Sequence, residues 1–147
     1  MRGGGSLALH SLRPACLEKM HLLPHILVID DDETILSLVE DAFSSEYQVC
    51  TANDALEGVG LLLSEPIDCL IVDLGMPVLD GVELIQKMRH SSRFHDTPVI
   101  VISAFPNLSA RLAGARVQLI LPKPFAIAEL ARAVATCIHA ERRRMAA

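Results

Sequence analysis

Five short apolar runs constrain the fold of this chain more than any other feature of its sequence. The runs are HILVI (25–29), YQVCTA (47–52), CLIVD (69–73), PVIVIS (98–103) and VQLIL (117–121). Most are apolar throughout rather than at alternate positions, which is typical of strands buried on both faces of a sheet. A sheet covered on both faces needs helices as its outer layers. We therefore predict five strands between layers of helix.

Segments with the apolar spacing of a helix separate these runs, at 34–43, 55–63, 81–90, 107–115 and 126–144. The residues predicted to face inward are Ile35, Leu38, Val39 and Ala42 in the first segment, Leu56, Val59, Leu62 and Leu63 in the second, Leu84, Ile85 and Met88 in the third, and Ile127, Leu130, Val134 and Ile138 in the last. Asp80 is in position to cap the third helix. Strands that alternate with helices indicate an α/β fold with a parallel sheet. Such folds bind ligands beyond the carboxyl ends of their strands.

Composition limits the classes of protein to which the chain can belong. Its 147 residues fit one domain, and 51% of them are hydrophobic, which is enough for a buried core. The formal net charge of −5 argues against a direct nucleic-acid binder, which needs a basic face. No apolar run approaches the roughly 18 residues of a membrane span.

The cysteines and the N-terminal segment indicate the cellular setting. Cys16, Cys50, Cys69 and Cys137 include no Cys-x-x-Cys pair, and the histidines show no metal-ligand spacing. Cys50 and Cys69 lie in strand runs and are expected to be small core residues. We expect a protein of a reducing compartment, the cytoplasm. Residues 1–24 lack a secretory signal and are expected to form a disordered extension.

Polar residues that could bind a ligand or take part in a reaction follow four of the predicted strands. The acidic cluster 30–33 follows the first, Asp73 ends the third, Ser103 ends the fourth, and Lys123 follows the fifth. Neighbouring carboxylates repel one another, and a divalent cation would relieve that repulsion. Oxygen ligands favour a hard cation such as Mg²⁺. A carboxylate beside such an ion can act as a nucleophile toward phosphorus.

Each of these residues also has a simpler reading. Asp31 or Asp32 could cap the following helix. Asp73 and Ser103 could serve only as turn residues, and Lys123 could be a solvated surface charge. The joint arrangement, with one such residue after each of these parallel strands, favours a common site.

Four motifs in this order resemble the receiver domain of bacterial two-component response regulators, of the single-domain kind related to chemotaxis regulators. They are ILVIDDDE, DCLIVDLGMPVLDG, VIVISA and LPKPF, and the resemblance covers residues 25 to about 140. It implies a flavodoxin-like, doubly wound (βα)5 fold with strand order 2-1-3-4-5. The expected organisation is a receiver domain over 25–141 and a short tail over 142–147 without an output domain.

The resemblance also implies a role for each site residue. Asp73 would accept the phosphoryl group. Mg²⁺ would be held by Asp30, Asp31, Asp73 and the backbone carbonyl of Gly75. Ser103 would hydrogen-bond to the phosphoryl group and Lys123 would pair with it, with a cis peptide bond between Lys123 and Pro124.

The expected partners follow from the same resemblance. The phosphodonor would be a phosphohistidine on a sensor histidine kinase or a histidine phosphotransfer protein. The output would be binding of a downstream target protein that the sequence does not name, and the family also allows a homodimer. The protein would be a signalling receiver rather than an enzyme, although it would promote its own phosphorylation and dephosphorylation.

The sequence departs from the family pattern near the output face. Ile120 occupies the position, three residues before Lys123, that usually carries the switch aromatic residue. The segment between Ser103 and Gly114 is about one helical turn short. Phe105 and Gly75 flank the phosphorylation pocket, where Phe105 could shield a phosphoryl group. We therefore expect a comparatively long-lived phosphorylated state.

Two other functions are compatible with the fold. One is a receiver-like module that binds proteins without being phosphorylated, which the altered output face would permit. The other is a phosphohydrolase with an aspartate nucleophile. Many such enzymes carry a second acid two residues after the nucleophile, and Gly75 at that position disfavours this alternative.

Overall fold

The computed structural model describes residues 23–77, 80–105 and 107–146. The prediction of a disordered extension over residues 1–24 therefore falls outside the described residues, except at Leu23 and Pro24. Within the described ranges, no helix has both the length and the apolar character needed to cross a bilayer.

Five parallel strands and four helices make up the described fold. In chain order they are β1 (His25–Ile29), α1 (Glu33–Phe43), β2 (Gln48–Ala52), α2 (Ala55–Ser64), β3 (Cys69–Asp73), α3 (Gly81–His90), β4 (Val99–Ser103), β5 (Leu119–Pro122) and α4 (Ile127–Ala146). The strand order is β2-β1-β3-β4-β5, and every neighbouring pair is parallel. The predicted flavodoxin-like sheet and its strand order are confirmed.

The sheet separates two apolar clusters, one on each face. Alternate residues of the same strands enter opposite clusters, as Leu70 and Val72 do on one face and Ile71 on the other. One cluster contains side chains of α2, α3 and the β4–β5 connection, and the other contains side chains of α1 and α4. Both faces of β3 and β4 are therefore buried, which explains why these strands are apolar throughout.

The predicted buried faces of the first two helices are partly wrong. In α1 the buried residues are Leu36, Val39 and Phe43, whereas Leu38 is 46% exposed. In α2, Leu62 is buried as expected, but Leu56 is 85% exposed and Leu63 is 57% exposed. Both segments form helices as predicted. The inward positions predicted for Leu38, Ala42, Leu56 and Leu63 are wrong, because these residues are exposed.

A glycine determines which face of α2 meets the sheet. A Cβ atom on Gly58 would lie 2.6 Å from Cδ1 of Ile29 in β1, so no larger residue fits without a shift. The missing side chain allows the helix axis to approach the strand closely, and Leu62, one turn later, completes the contact face. In α3 and α4, by contrast, Ile85, Met88, Leu130, Val134 and Ile138 are buried as predicted.

The predicted helix over residues 107–115 is wrong. The described residues between β4 and β5 form turns, with a helix-like hydrogen bond from the N–H of Leu112 to the carbonyl of Leu108 at 3.0 Å. Asn107 and Gly114 have φ angles of 63° and 81°, in the left-handed region, which a right-handed helix cannot continue through. Leu108 and Leu112 are nevertheless buried, so the connection packs against the core without a helix. The strand that follows begins at Leu119 rather than at the predicted residue 117.

Candidate functional site

The carboxyl ends of the strands bring the predicted site residues together. Asp30 directly follows β1, Asp73 and Ser103 end β3 and β4, and Lys123 directly follows β5. Asp30, Asp73 and Ser103 have at most 5% of their surface exposed, although the rest of the buried set is largely apolar. Burial of polar groups is costly unless they are paired, so these three residues need partners within the site.

Lys123 supplies a shared cationic partner. Its Nζ atom lies 3.0 Å from Oδ2 of Asp73, to which it donates a hydrogen bond, and 3.0 Å from Oδ2 of Asp30. Burial alone would lower the pKa of Lys123, but the contacts with Asp30 and Asp73 outweigh it, and the net pKa is raised. The ammonium is therefore charged at neutral pH. The simpler reading of Lys123 as a solvated surface charge is excluded, since only 19% of its side chain is exposed.

Asp30 is the most deeply buried acid of the site. Burial raises its pKa, against the lowering effect of the backbone N–H of Asp32, which donates to Oδ1 at 2.9 Å. Its Oδ2 contacts the ammonium of Lys123 at 3.0 Å as an ion pair but lacks hydrogen-bond geometry. This carboxylate oxygen can therefore accept a further positive ligand.

Three carboxylates form a donor set that suits a hard divalent cation. One oxygen from each of Asp30, Asp31 and Asp73 lies within 4.8 Å of the others. Asp31 is exposed, which leaves the set open to solvent on one side. Oxygen-only donors with an open side fit Mg²⁺, which retains several waters. A cation would also favour the ionised form of Asp30, whose pKa burial raises.

Gly75 and Ser103 make hydrogen bonds that orient the loops around Asp73. The N–H of Gly75 donates to Oδ1 of Asp73 at 2.8 Å. The predicted use of the Gly75 carbonyl as a metal ligand stays a prediction. The hydroxyl of Ser103 accepts a hydrogen bond from the N–H of Phe105 at 3.0 Å, and its backbone carbonyl accepts one from the N–H of Lys123 at 2.8 Å. Ser103 is thus both a turn residue and a link between β4 and Lys123.

The Phe105 ring lies near Asp73, with Gly75 between them. A Cβ atom on Gly75 would lie 3.3 Å from Oδ1 of Asp73 and 3.3 Å from Cε2 of Phe105. The ring is 59% exposed, so it forms an outer wall of the site rather than part of the core. The space next to Asp73 is therefore narrow on this side, although Gly75 itself contributes no side chain.

The smaller predictions around the site have mixed outcomes. The cap of α1 is Asp32, whose Oδ1 accepts from the N–H of Thr34 at 2.9 Å, so Asp31 is not used for capping. Asp80 caps α3 as predicted. The peptide bond between Lys123 and Pro124 is cis, as the resemblance implied.

One polar residue at the same edge was missed. Asn53 follows β2, and its Nδ2 donates to Oε1 of Glu33 at 2.6 Å. Together with Asp31 it lines a cavity of about 280 Å³ beside the site, which Met76 and Pro77 also border. The signal was present, because Asn53 occupies the position after a strand that identified the other site residues.

Comparison with known proteins agrees with this geometry. A family model described as the response regulator receiver domain matches residues 26–135. The chain belongs to this family, whose members act as receivers in two-component signalling.

Individual relatives extend the comparison. The chain is 37% identical over 117 residues to the sensor histidine kinase TmoS of Ectopseudomonas mendocina, a match that covers 78% of this chain and 12% of that protein. It is 37% identical over 108 residues to the response regulator MprA of Mycobacterium tuberculosis, covering 71% of this chain and 46% of MprA. The chain thus spans less than half the length of these two relatives.

A solved structure supports the same assignment. The response regulator TrrA of Thermotoga maritima, crystallised in complex with Mg²⁺ and BeF, superposes with a TM-score of 0.69 and 26% sequence identity. The superposition covers 78% of this chain and 99% of that one.

Proposed function

We propose that this receiver domain accepts a phosphoryl group on Asp73 from a phosphohistidine, with Mg²⁺ bound beside it, and thereby switches its binding to another protein. The observation that carries this proposal is the contact of one partly buried ammonium, Lys123, with both Asp73 and Asp30 at 3.0 Å. This contact places a carboxylate nucleophile and a fixed cation side by side at the carboxyl ends of the strands.

The transfer step forms one bond and breaks another. A carboxylate oxygen of Asp73 attacks phosphorus as the phosphorus–nitrogen bond to the donor imidazole breaks, and the imidazole leaves with its electron pair. Asp30 and Asp31, with Asp73, would hold Mg²⁺, which supplies positive charge to the phosphoryl oxygens. Lys123 supplies a second positive charge from the protein itself.

The neighbours of Asp73 prepare it for this attack. The N–H of Gly75 holds Oδ1 and the ammonium of Lys123 holds Oδ2, so the carboxylate is fixed before the donor arrives. Fixed donors need little reorganisation during the reaction, which is the main catalytic contribution expected in phosphoryl transfer. We assign Ser103 to the phosphoryl group because its hydroxyl lies at the adjacent strand end.

The lifetime of the phosphorylated state depends on access of water to Asp73. The Phe105 ring borders the acceptor, and Gly75 offers no side chain that could position a water for attack. Both features favour slow hydrolysis. Gly75 also disfavours a phosphohydrolase, since the second acid of such enzymes is absent at this position.

The partners of this reaction belong to two classes. The donor would be a sensor histidine kinase or a histidine phosphotransfer protein. The receiver of the signal would be a target protein that distinguishes the two states of the domain, or a second copy of the chain.

Intact-mass spectrometry tests the proposal directly. Incubation with Mg²⁺ and a small acyl phosphate should add one phosphoryl group to the protein. The Asp73→Asn variant should gain none, and the parent should gain none when Mg²⁺ is removed. Asp41→Asn, which changes an exposed acid on α1, is the matched control and should be phosphorylated normally. Folded protein that gains no phosphate from an acyl phosphate or from a phosphohistidine donor would overturn the proposal and favour the phosphorylation-independent binding module.

A further inference from the structure

The small cavity beside the site around Asp73 lies between the start of α2 and the β3–α3 connection. Its volume is about 280 Å³, and Leu56, Met76 and Pro77 form much of its apolar lining. Asp31 joins the cavity to the site, because it lines the cavity and one of its carboxylate oxygens lies within 4.8 Å of an oxygen of Asp73. A protein that brings a phosphoryl group to Asp73 therefore comes close to this cavity.

Leu56 is a highly exposed apolar residue at the rim of the cavity. Its side chain is 85% exposed, although α2 packs its opposite face against the sheet. A single exposed leucine carries little meaning by itself, because such residues are common on protein surfaces. Here Pro77 is also exposed and Met76 is buried beneath the same cavity, so the apolar surface is continuous from the rim to the core. Apolar surface of this kind is typical of a protein-binding site.

The size of the cavity indicates what can fill it. Pockets that hold a separate small ligand usually span about 300–1,000 Å³. A cavity of about 280 Å³ is better suited to one large apolar side chain that another protein inserts. Met76 can adjust to the shape of such a side chain, since methionine is unbranched and flexible.

The charge around the cavity restricts the partner further. Residues 26–86 carry 14 acidic residues and no lysine, arginine or histidine. Asp31 and Asp54 lie on the cavity itself, and Asp54 is fixed there because its Oδ1 accepts a hydrogen bond from the N–H of Glu57 at 2.8 Å. A second copy of the chain that docked through this same surface would bring like charges together, whereas a partner with basic residues would be attracted.

We propose that this cavity is a docking site for the phosphodonor protein, which inserts one large apolar side chain beside Leu56 and places basic residues against the acidic rim. The inference rests on the proposed transfer of a phosphoryl group to Asp73. Docking at a cavity that shares Asp31 with the three-carboxylate set holds the phosphohistidine of the donor near Asp73. A small acyl phosphate has no side chain to insert and reacts without using the cavity.

Phosphotransfer from two kinds of donor tests the docking site on the full chain. The protein donor is an autophosphorylated sensor histidine kinase, chosen from a purified panel as the one that phosphorylates the parent fastest. The small donor is acetyl phosphate, and intact-mass spectrometry follows both reactions. Leu56→Ala should lower kcat/KM with the kinase about tenfold through a higher KM, as expected when a central interface side chain is lost. Its rate with acetyl phosphate should equal that of the parent.

A matched control lies on the same helix. Leu63 is 57% exposed but does not line the cavity, so Leu63→Ala should behave as the parent with both donors. Three outcomes would overturn the docking site: an unchanged rate of Leu56→Ala with the kinase, an equal loss of rate with both donors, or transfer to the parent from acetyl phosphate but from no kinase. A parent protein that accepts phosphate from neither donor would instead overturn the function on which this inference rests.

The acidic rim is tested separately with Asp54→Asn. Asparagine also caps helices, so α2 should stay intact while the charge at the rim is removed. The value of kcat/KM with the kinase should fall, and it should depend less on salt concentration than in the parent. A salt dependence identical to that of the parent would show that the donor brings no basic residues to this rim.

Discussion

The Nε atom of Arg89, near the end of α3, donates a hydrogen bond to the backbone carbonyl of Ala115 at 2.9 Å. The same guanidinium donates to the carbonyls of Arg116 at 2.9 Å and Thr97 at 2.7 Å. One side chain thus fastens the non-helical β4–β5 connection to the loop that precedes β4. Carbonyls without a helix need other donors, and the planar fork of arginine can serve several at once.

Replacement of Arg89 should destabilise the domain. Arg89→Met leaves several carbonyls without their donor, and we expect a loss of about 2–3 kcal/mol in the free energy of unfolding. Lys87→Met, on the same helix but in an exposed pair with Glu83, should change stability by less than about 0.5 kcal/mol. Urea unfolding of both variants measures the difference. Equal stability of the two variants would show that Arg89 does not hold the connection.

Removal of the site ammonium should leave two carboxylates facing each other. Lys123→Met should lower the free energy of unfolding by about 3 kcal/mol, because Asp30 and Asp73 lose their shared cation while they stay buried. Mg²⁺ should restore part of this loss, and removal of Mg²⁺ with a chelator should reverse the gain. Urea unfolding with and without Mg²⁺ checks both parts. A Lys123→Met variant whose stability Mg²⁺ does not change would contradict a metal site formed by these carboxylates.

Loss of the Phe105 ring should shorten the life of the phosphorylated state. Phe105→Ala opens the side of Asp73 to water, and we expect hydrolysis up to about tenfold faster, which corresponds to about 1.4 kcal/mol in the barrier. Leu38→Ala removes an exposed side chain of α1 and should leave the rate unchanged. The decay of phosphoprotein mass over time gives both rates. Equal rates in Phe105→Ala and in its parent would refute shielding by the ring.

The two glycines of α2 should respond oppositely to alanine. Gly58→Ala should cost about 1–3 kcal/mol, since its Cβ atom would meet Ile29 at 2.6 Å. Gly60→Ala should stabilise by up to about 1 kcal/mol, because nothing lies within 4 Å of the added carbon and alanine favours a helix. Thermal or urea unfolding of the two variants and the parent measures both changes in stability. Comparable effects at both positions would argue against close packing of α2 on β1.

Acid should weaken one contact at the far end of α4. Asp96 accepts a hydrogen bond from Arg144 at 3.0 Å, and this bond lowers the pKa of Asp96 from its usual 3.8. A lowered pKa in the folded state means that the contribution to stability is present above pH 3.8 and is lost as pH falls through the folded value.

The pH dependence of the melting temperature tests this contact. The difference between the parent and Asp96→Asn should shrink steadily below pH 3.8 and should also shrink with added salt at neutral pH. A difference that is constant across this range would show that the charge of Asp96 is not involved.

Most of the site was predictable because its position follows from topology. Continuous apolar strands indicate a covered parallel sheet, and the carboxyl ends of its strands share one edge. That rule placed Asp30, Asp73, Ser103 and Lys123 together before any distance was known. The same rule applied to β2 would also have identified Asn53.

The errors arose where packing between distant segments decides the local structure. The many leucines of α2 fit several helical faces, and only the approach of Gly58 to Ile29 selects one. The spacing of Leu108 and Leu112 suits a helix, but left-handed residues bound the segment and Arg89, far away in sequence, holds its end. No window of neighbouring residues contains that information.

Anchorage of the β4–β5 connection through backbone carbonyls has a consequence for divergence among receivers. A carbonyl oxygen is present whatever side chain a residue carries, so mutations along the connection leave the acceptors of Arg89 in place. Leu108 and Leu112 tolerate replacement less well, since their buried side chains contribute to the core. Exposed positions of this surface with ordinary backbone angles are therefore free to drift in sequence, and a lineage could acquire a new partner there without rebuilding the site around Asp73.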